Sequence, residues 1–225
     1  MKKITTFFAL LAIGAMAFAQ TGANAYSSKS GKITYRYELE DMDMTYTLIF
    51  DDFGKKQAFE MENKLDGEVQ KSKTIITPEN MFMINYEDKQ VIKFPVNTDD
   101  ESMEMYGGAD GGFDLSGLVA EVTGEASGKK GTETVLGKKC DMYEYADPDG
   151  SKGKYWIHKG FLIKAEFIDE DGKHAFMEVT EYKVDVAVNK SEFDIPAGFQ
   201  VQDMTKMMEQ MKQMQQMYGV PGDDE

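Results

Sequence analysis

Apolar and polar residues alternate with a period of two through most of this chain, and that pattern leaves few folds open. Ile33, Tyr35, Tyr37 and Leu39 alternate with Lys32, Thr34, Arg36 and Glu38. Met44, Tyr46, Leu48 and Phe50 alternate with Thr45, Thr47 and Ile49, and Phe161, Ile163, Ala165 and Phe167 with Lys164 and Glu166. Successive side chains of a strand point to opposite faces, so the pattern buries one face and wets the other, as antiparallel sheets do. Further strands read at 56–62, 72–77, 81–87, 90–95, 131–137, 140–146, 153–158 and 174–186. Turn residues separate them, among them Phe53-Gly54, Pro78-Glu79-Asn80, Lys159-Gly160 and Glu170-Asp171-Gly172. The expected fold is mostly β, a curved antiparallel sheet that meanders into a barrel or half-barrel.

Three segments depart from this pattern. At the start, Lys2 and Lys3 precede an apolar run from Phe7 to Phe18, and Ala17-Phe18-Ala19 has the small-x-small form of a cleavage site. This order predicts a signal peptide over 1–19, cleaved near Ala19, and a periplasmic or secreted chain. The run is too short to span a bilayer, which takes about 20 apolar residues, and nothing later could cross one. Residues 97–117 are rich in acid, Gly and Ser and read as a long loop that leads into a short helix over 115–122. At the end, Met204, Met207, Met208, Met211, Met214 and Met217 recur at steps of three and four, the spacing of one helix face, until Gly219 and Pro221. The expected division is a linker over 20–30, one β domain over 31–200, and a Met-rich helix with an acidic tail over 201–225.

The chain carries 25 basic and 40 acidic residues, a net charge of −15, so it repels nucleic acid. Its one cysteine, Cys140, can form no internal disulfide in an oxidising compartment, and the fold must rest on its core. Nothing in the sequence points to catalysis. The two histidines, His158 and His174, lie in no metal-binding spacing, and there is no nucleophile elbow. The acidic stretches at 147–150 and 169–172 bring carboxylates beside glycines but lack the later ligands of a calcium loop, and they read as hairpin turns. No cofactor is implied. The methionines admit two roles, soft ligands for Cu(I) at Met207, Met211 and Met214 or an adaptable apolar surface. The aromatics Tyr35, Tyr37, Tyr46, Phe50, Trp156, Phe161 and Phe167 either fill a core or line a cavity for an apolar ligand, and the sequence leaves both open.

The segment ETVLGKKCDMYEYADPDGSKGKYWIHKGFLIKAEF, from Glu133 to Phe167, resembles a family of secreted bacterial proteins in the LolA-like superfamily of periplasmic lipoprotein carriers. Phe193-Asp194-Ile195-Pro196-Ala197-Gly198-Phe199 is similar to the closing element of the same group, and Gly31-Lys32-Ile33-Thr34-Tyr35 to its opening. The resemblance implies an incomplete barrel with helices or loops on its concave side. It also implies a non-enzymatic role, holding a lipid or the acyl chain of an acylated protein. The chain departs from the carriers in lacking a helix before the first strand and in its Met-rich end. Two other roles remain from the residues themselves: an interaction module that docks an envelope protein through 203–217, and Cu(I) handling.

Overall fold

The computed structural model describes residues 25–39, 42–65, 68–96, 115–124, 128–146 and 150–205, and Gln210. Their strands are β1 (Gly31–Leu39), β2 (Met42–Asp51), β3 (Lys56–Leu65), β4 (Glu68–Ile76), β5 (Asn80–Asn85) and β6 (Gln90–Pro95), then β7 (Lys129–Val135), β8 (Lys138–Ala146), β9 (Lys152–His158), β10 (Phe161–Ile168), β11 (His174–Val184) and β12 (Gln200–Asp203). One helix, α1 (Leu115–Thr123), lies between β6 and β7. All twelve strands belong to one sheet, in the order β12-β6-β5-β4-β3-β2-β1-β11-β10-β9-β8-β7, with β7 and β12 as its edges. The protein is a mostly β, open curved sheet, an incomplete barrel. The signal peptide read at 1–19 and the greater part of the loop read at 97–117 lie outside the described residues.

The alternation read from β1 and β2 sets the pairing. Ile33 lies opposite Leu48, Tyr35 opposite Tyr46 and Tyr37 opposite Met44, so their apolar positions share a face. We call this the inner face, because α1 packs on it through Leu115, Val119 and Val122, spaced four and three apart on one side of the helix. Two hairpins use tight turns with two left-handed residues each. Leu136 (φ 50°) and Gly137 (φ 72°) join β7 to β8, and Lys159 (φ 52°) and Gly160 (φ 81°) join β9 to β10. The strand expected over 131–137 therefore stops at Val135. Leu136 is the exposed first residue of the turn, its apolar side chain overridden by the backbone geometry of the hairpin.

The outer face is not simply wet. Ile49, Ala58, Ile75, Ile84 and Val91 are buried on it, and the segment after β11 covers them with Val188, Phe193, Ile195 and Phe199. Lys73 joins this cover to the sheet. Its side chain is 7% exposed, with Glu60 Oε1 at 2.7 Å and Glu192 Oε2 of the covering segment at 3.6 Å. β12 is a strand that the alternation does not announce, since all four of its residues are exposed. Backbone pairing holds it parallel to β6, from Gln200 opposite Gln90 to Asp203 opposite Lys93, and Lys93 Nζ donates to Asp203 Oδ2 at 2.8 Å.

Removing the buried ammonium leaves two carboxylates facing each other. Both are about a third exposed, which softens the penalty. Lys73→Ala is expected to cost about 2 kcal/mol in urea unfolding, whereas Lys71→Ala, in the exposed pair with Glu62, costs about 0.5 kcal/mol or less. Equal losses at the two sites would show that Lys73 does not tie the cover to the sheet.

Candidate functional site

The inner face divides into two halves. The first is aromatic. Tyr35, Tyr37, Tyr46, Phe50 and Phe161 are all at most 5% exposed, and their rings pack on one another or on neighbours. Tyr35 lies 6.2 Å from Tyr46, and Tyr46 5.9 Å from Phe59. At one end Tyr26 stacks on Phe161 at 5.2 Å and leans against Phe50 at 4.6 Å, and its hydroxyl donates to Gln57 Oε1 at 3.1 Å. Tyr26 lies in the stretch read as linker, where a single aromatic beside Ser and Lys gives no periodic signal. Its seat depends on Gly54, whose φ is +89° and where a Cβ would come within 2.8 Å of both Ala25 Cβ and Tyr26 Cδ2.

Tyr155 completes this half. It continues the inner-face row through Ala165 and Met177 and packs edge-on against Phe167 at 5.3 Å. Phe167 itself is half-buried. Trp156, the next residue along β9, is 3% exposed and belongs to the same buried cluster. Its indole N–H donates to Glu133 Oε2 at 2.8 Å, and the ammonium groups of Lys154 and Lys164 sit 4.9 and 4.6 Å from its ring. The structure places six of the seven aromatics singled out in the sequence, Trp156 among them, in one buried cluster and packs Phe167 against it. In the run Tyr155-Trp156-Ile157 all three residues are buried, so alternation could not say which of them faces inward.

The second half of the inner face mixes methionine with polar residues, Asn63, Ser72, Thr74 and Asn85. Met61 on β3 lies opposite Tyr46, and Met83 on β5 lies between Thr74 of β4 and Ile92 of β6. Met44 of β2 lies opposite Asn63, and Ser72 and Thr74 of β4 stand between Met61 and Met83; Met61 is 37% exposed, and Met44, Met83 and Ile92 are half-buried. At the β6 end Met81, Phe94 and Met204 make a small buried cluster. Among the described residues, the outer face holds a crevice of about 180 Å³ between Lys32, Ile49, Lys183, Val188 and Glu192. Sites for drug-sized ligands run from about 300 Å³ upward, so this crevice is too small for an acyl chain.

Titration behaviour fits an apolar interior. Burial pushes Tyr37 and Tyr182 up to about 12, with Asp185 and Cys140 adding to the shift at Tyr182. Tyr35 is held well above its ordinary value by burial first, then by Tyr26 and Tyr182. The Cys140 thiol is also raised, chiefly by burial, and it donates to the Lys138 carbonyl at 3.4 Å. A raised thiol is a poor nucleophile. Of the two acidic turns, 169–172 is described. Asp169 Oδ1 accepts from the Lys173 N–H at 2.8 Å, the closure of a turn. Residues 147–149 lie outside the described residues, as do Met207, Met211 and Met214. Among the described residues no three of His, Cys, Asp or Glu gather at one point, and no helix is long and apolar enough to cross a membrane.

Comparison with protein-family models and with curated proteins finds no match. Solved structures do match. An uncharacterized conserved protein from Thermus thermophilus is 15% identical over 79% of this chain and 91% of its own, with a TM-score of 0.53. The Pseudomonas aeruginosa MucA/MucB complex matches at 16% identity over 86% of this chain and 64% of its own, with a TM-score of 0.48. A LolA superfamily protein from Nitrosomonas europaea is also a structural neighbour, at 11% identity over 75% and 91% of the two chains and a TM-score of 0.32. The first of these shows the fold.

A phenol whose folded pKa is raised binds its proton more tightly in the native state, so its contribution to stability is constant below pH 10 and falls as pH rises toward 12. Absorbance at 295 nm is expected to show Tyr37 and Tyr182 ionising near pH 12 or together with unfolding. Full ionisation of all tyrosines near pH 10 in the folded protein would contradict the packed aromatic half.

Proposed function

We propose that the protein is an exported, non-enzymatic carrier that binds a lipid or acyl chain on the methionine side of its inner face. The observation that carries this reading is that Met44, Met61, Met83 and Ile92, beyond the packed aromatic half of the inner face, stay partly exposed. Methionine suits this role, since its unbranched, polarisable side chain adapts to a flexible chain of varying length. The aromatic half then serves as the rigid support behind the site. Of the seven aromatics singled out, Phe167 remains the one with accessible surface for a ligand. Export is supported by the basic, apolar and small-residue order of positions 1–19, and the carrier role by the resemblance of residues 31–200 to the LolA-like carriers.

Affinity on such a face comes from burial, about 0.8 kcal/mol per methylene, so binding should tighten about tenfold for every two methylenes added. Titration of the mature chain with saturated fatty acids of increasing length, read by calorimetry, is expected to follow that trend. Met61→Glu and Met83→Glu, at partly exposed positions, are expected to weaken binding by at least about tenfold while leaving the urea midpoint near its wild-type value. No saturable binding, or an affinity independent of chain length, would overturn the proposal.

A further inference from the structure

Asn63 stands on the inner face with an acceptor to spare. It lies on β3 between Met44 of β2 and Gln70 of β4, two residues along from Met61. The residue is half-buried, its side-chain oxygen Oδ1 is buried, and among the described residues nothing donates to that oxygen. Other carboxamides of the same face are already engaged. Gln57 Oε1 accepts from the Tyr26 hydroxyl at 3.1 Å, and Asn85 Oδ1 from the N–H groups of Glu87 and Asp88 at 2.9 and 3.1 Å. A buried acceptor without a donor is costly, and folded proteins keep few of them.

The face around Asn63 offers nothing to an anion. Four cross-strand rows start at Gly31, Ile33, Tyr35 and Tyr37 and run from β1 toward β6, and none of their residues is Lys, Arg, His, Asp or Glu. Cations of these strands take the alternate positions, where Lys71 pairs with Glu62, Lys73 with Glu60 and Lys93 with Asp203. With the whole chain at −15, a bare carboxylate or phosphate on the inner face meets no counter-charge and an opposing field.

We infer that the amphiphile of the carrier site is neutral and carries a hydroxyl, which Asn63 binds while the acyl tail lies over Met44 and Met61. The inference rests on the carrier reading and adds the headgroup to it. A hydroxyl both donates and accepts, so it pairs with the Asn63 carboxamide whichever way the amide is turned. An acyl ester of glycerol has this chemistry, and a fatty-acid anion does not. Burial of the tail supplies affinity for both, and the hydrogen bond to Asn63 sets the preference between them.

Calorimetry on the mature chain at pH 8, with three ligands of one tail length, tests it. Monododecanoylglycerol is neutral and bears hydroxyls, methyl dodecanoate is neutral without a donor, and dodecanoate is an anion. The glyceride is expected to bind about tenfold tighter than the methyl ester, and by a wider margin than dodecanoate. Asn63→Leu is expected to bring the glyceride down to the methyl ester and leave the methyl ester unchanged. Should the urea midpoint show that this variant does not fold, Asn63→Asp decides, since its carboxylate still accepts from a hydroxyl and should weaken dodecanoate about tenfold further. A glyceride no tighter than the methyl ester, a preference that survives in folded Asn63→Leu, or dodecanoate binding unchanged in Asn63→Asp would overturn the inference and leave the carrier reading standing. No saturable binding of any of the three would overturn the carrier reading, and this inference with it.

Discussion

β1 has two partners, β2 on one side and β11 on the other, and every other strand takes its facing from that double pairing. Through it the strands of residues 31–95 and those of 129–184 become one sheet. The register decides which side chains point inward, since a slip of one residue would turn Ile33, Tyr35 and Tyr37 to the outer face. Bulges mark the strands beside it. One lies opposite Thr34 and Tyr35, where the Thr180 hydroxyl donates to the Thr34 carbonyl at 3.2 Å, and another between Leu162 and Lys164 on β10. A bulge bends and twists its strand, and these account for a sheet that curves without closing.

A sheet this wide has two apolar faces to cover, and the chain covers them differently. The outer face receives a fixed lid of its own sequence, Val188 to Phe199, locked by Lys73 between Glu60 and Glu192. The aromatic half of the inner face receives α1 and Tyr26. What remains partly exposed on that face is Met61, with Met44, Met83 and Ile92 half-buried beside polar Asn63, Ser72 and Thr74. The open edges are protected in the usual ways. β7 begins with Lys129 and Lys130, and β12 is four residues long.

Much of this was legible in the sequence, for a physical reason. β1 alternates cleanly because one of its faces is buried and the other is not, and the turns at 159–160 and 170–172 carry glycines at left-handed positions. The Met-rich stripe reads in the sequence as one helical face, and beyond Thr205 it lies outside the described residues save for Gln210. Three things were hidden. β12 is held by backbone pairing and one ion pair, which leave no apolar trace. The outer core was masked because Ile49 and Ile75 sit beside inward-facing neighbours, Leu48, Phe50 and Ile76, and blur the period. The polar partners of Trp156 were hidden too, since nothing in the alternation announces that Glu133, Lys154 and Lys164 surround a buried indole.

The central claim is that the methionine side of the inner face is where this protein meets an acyl chain. Photo-crosslinking with a diazirine-bearing fatty acid, the adducts mapped by peptide mass spectrometry, tests it most directly. The account predicts saturable labelling on the peptides that hold Met44, Met61 and Met83, competed away by unlabelled fatty acid. Labelling concentrated on the outer face, around Phe82 and Phe199, or labelling that fails to saturate, would contradict it.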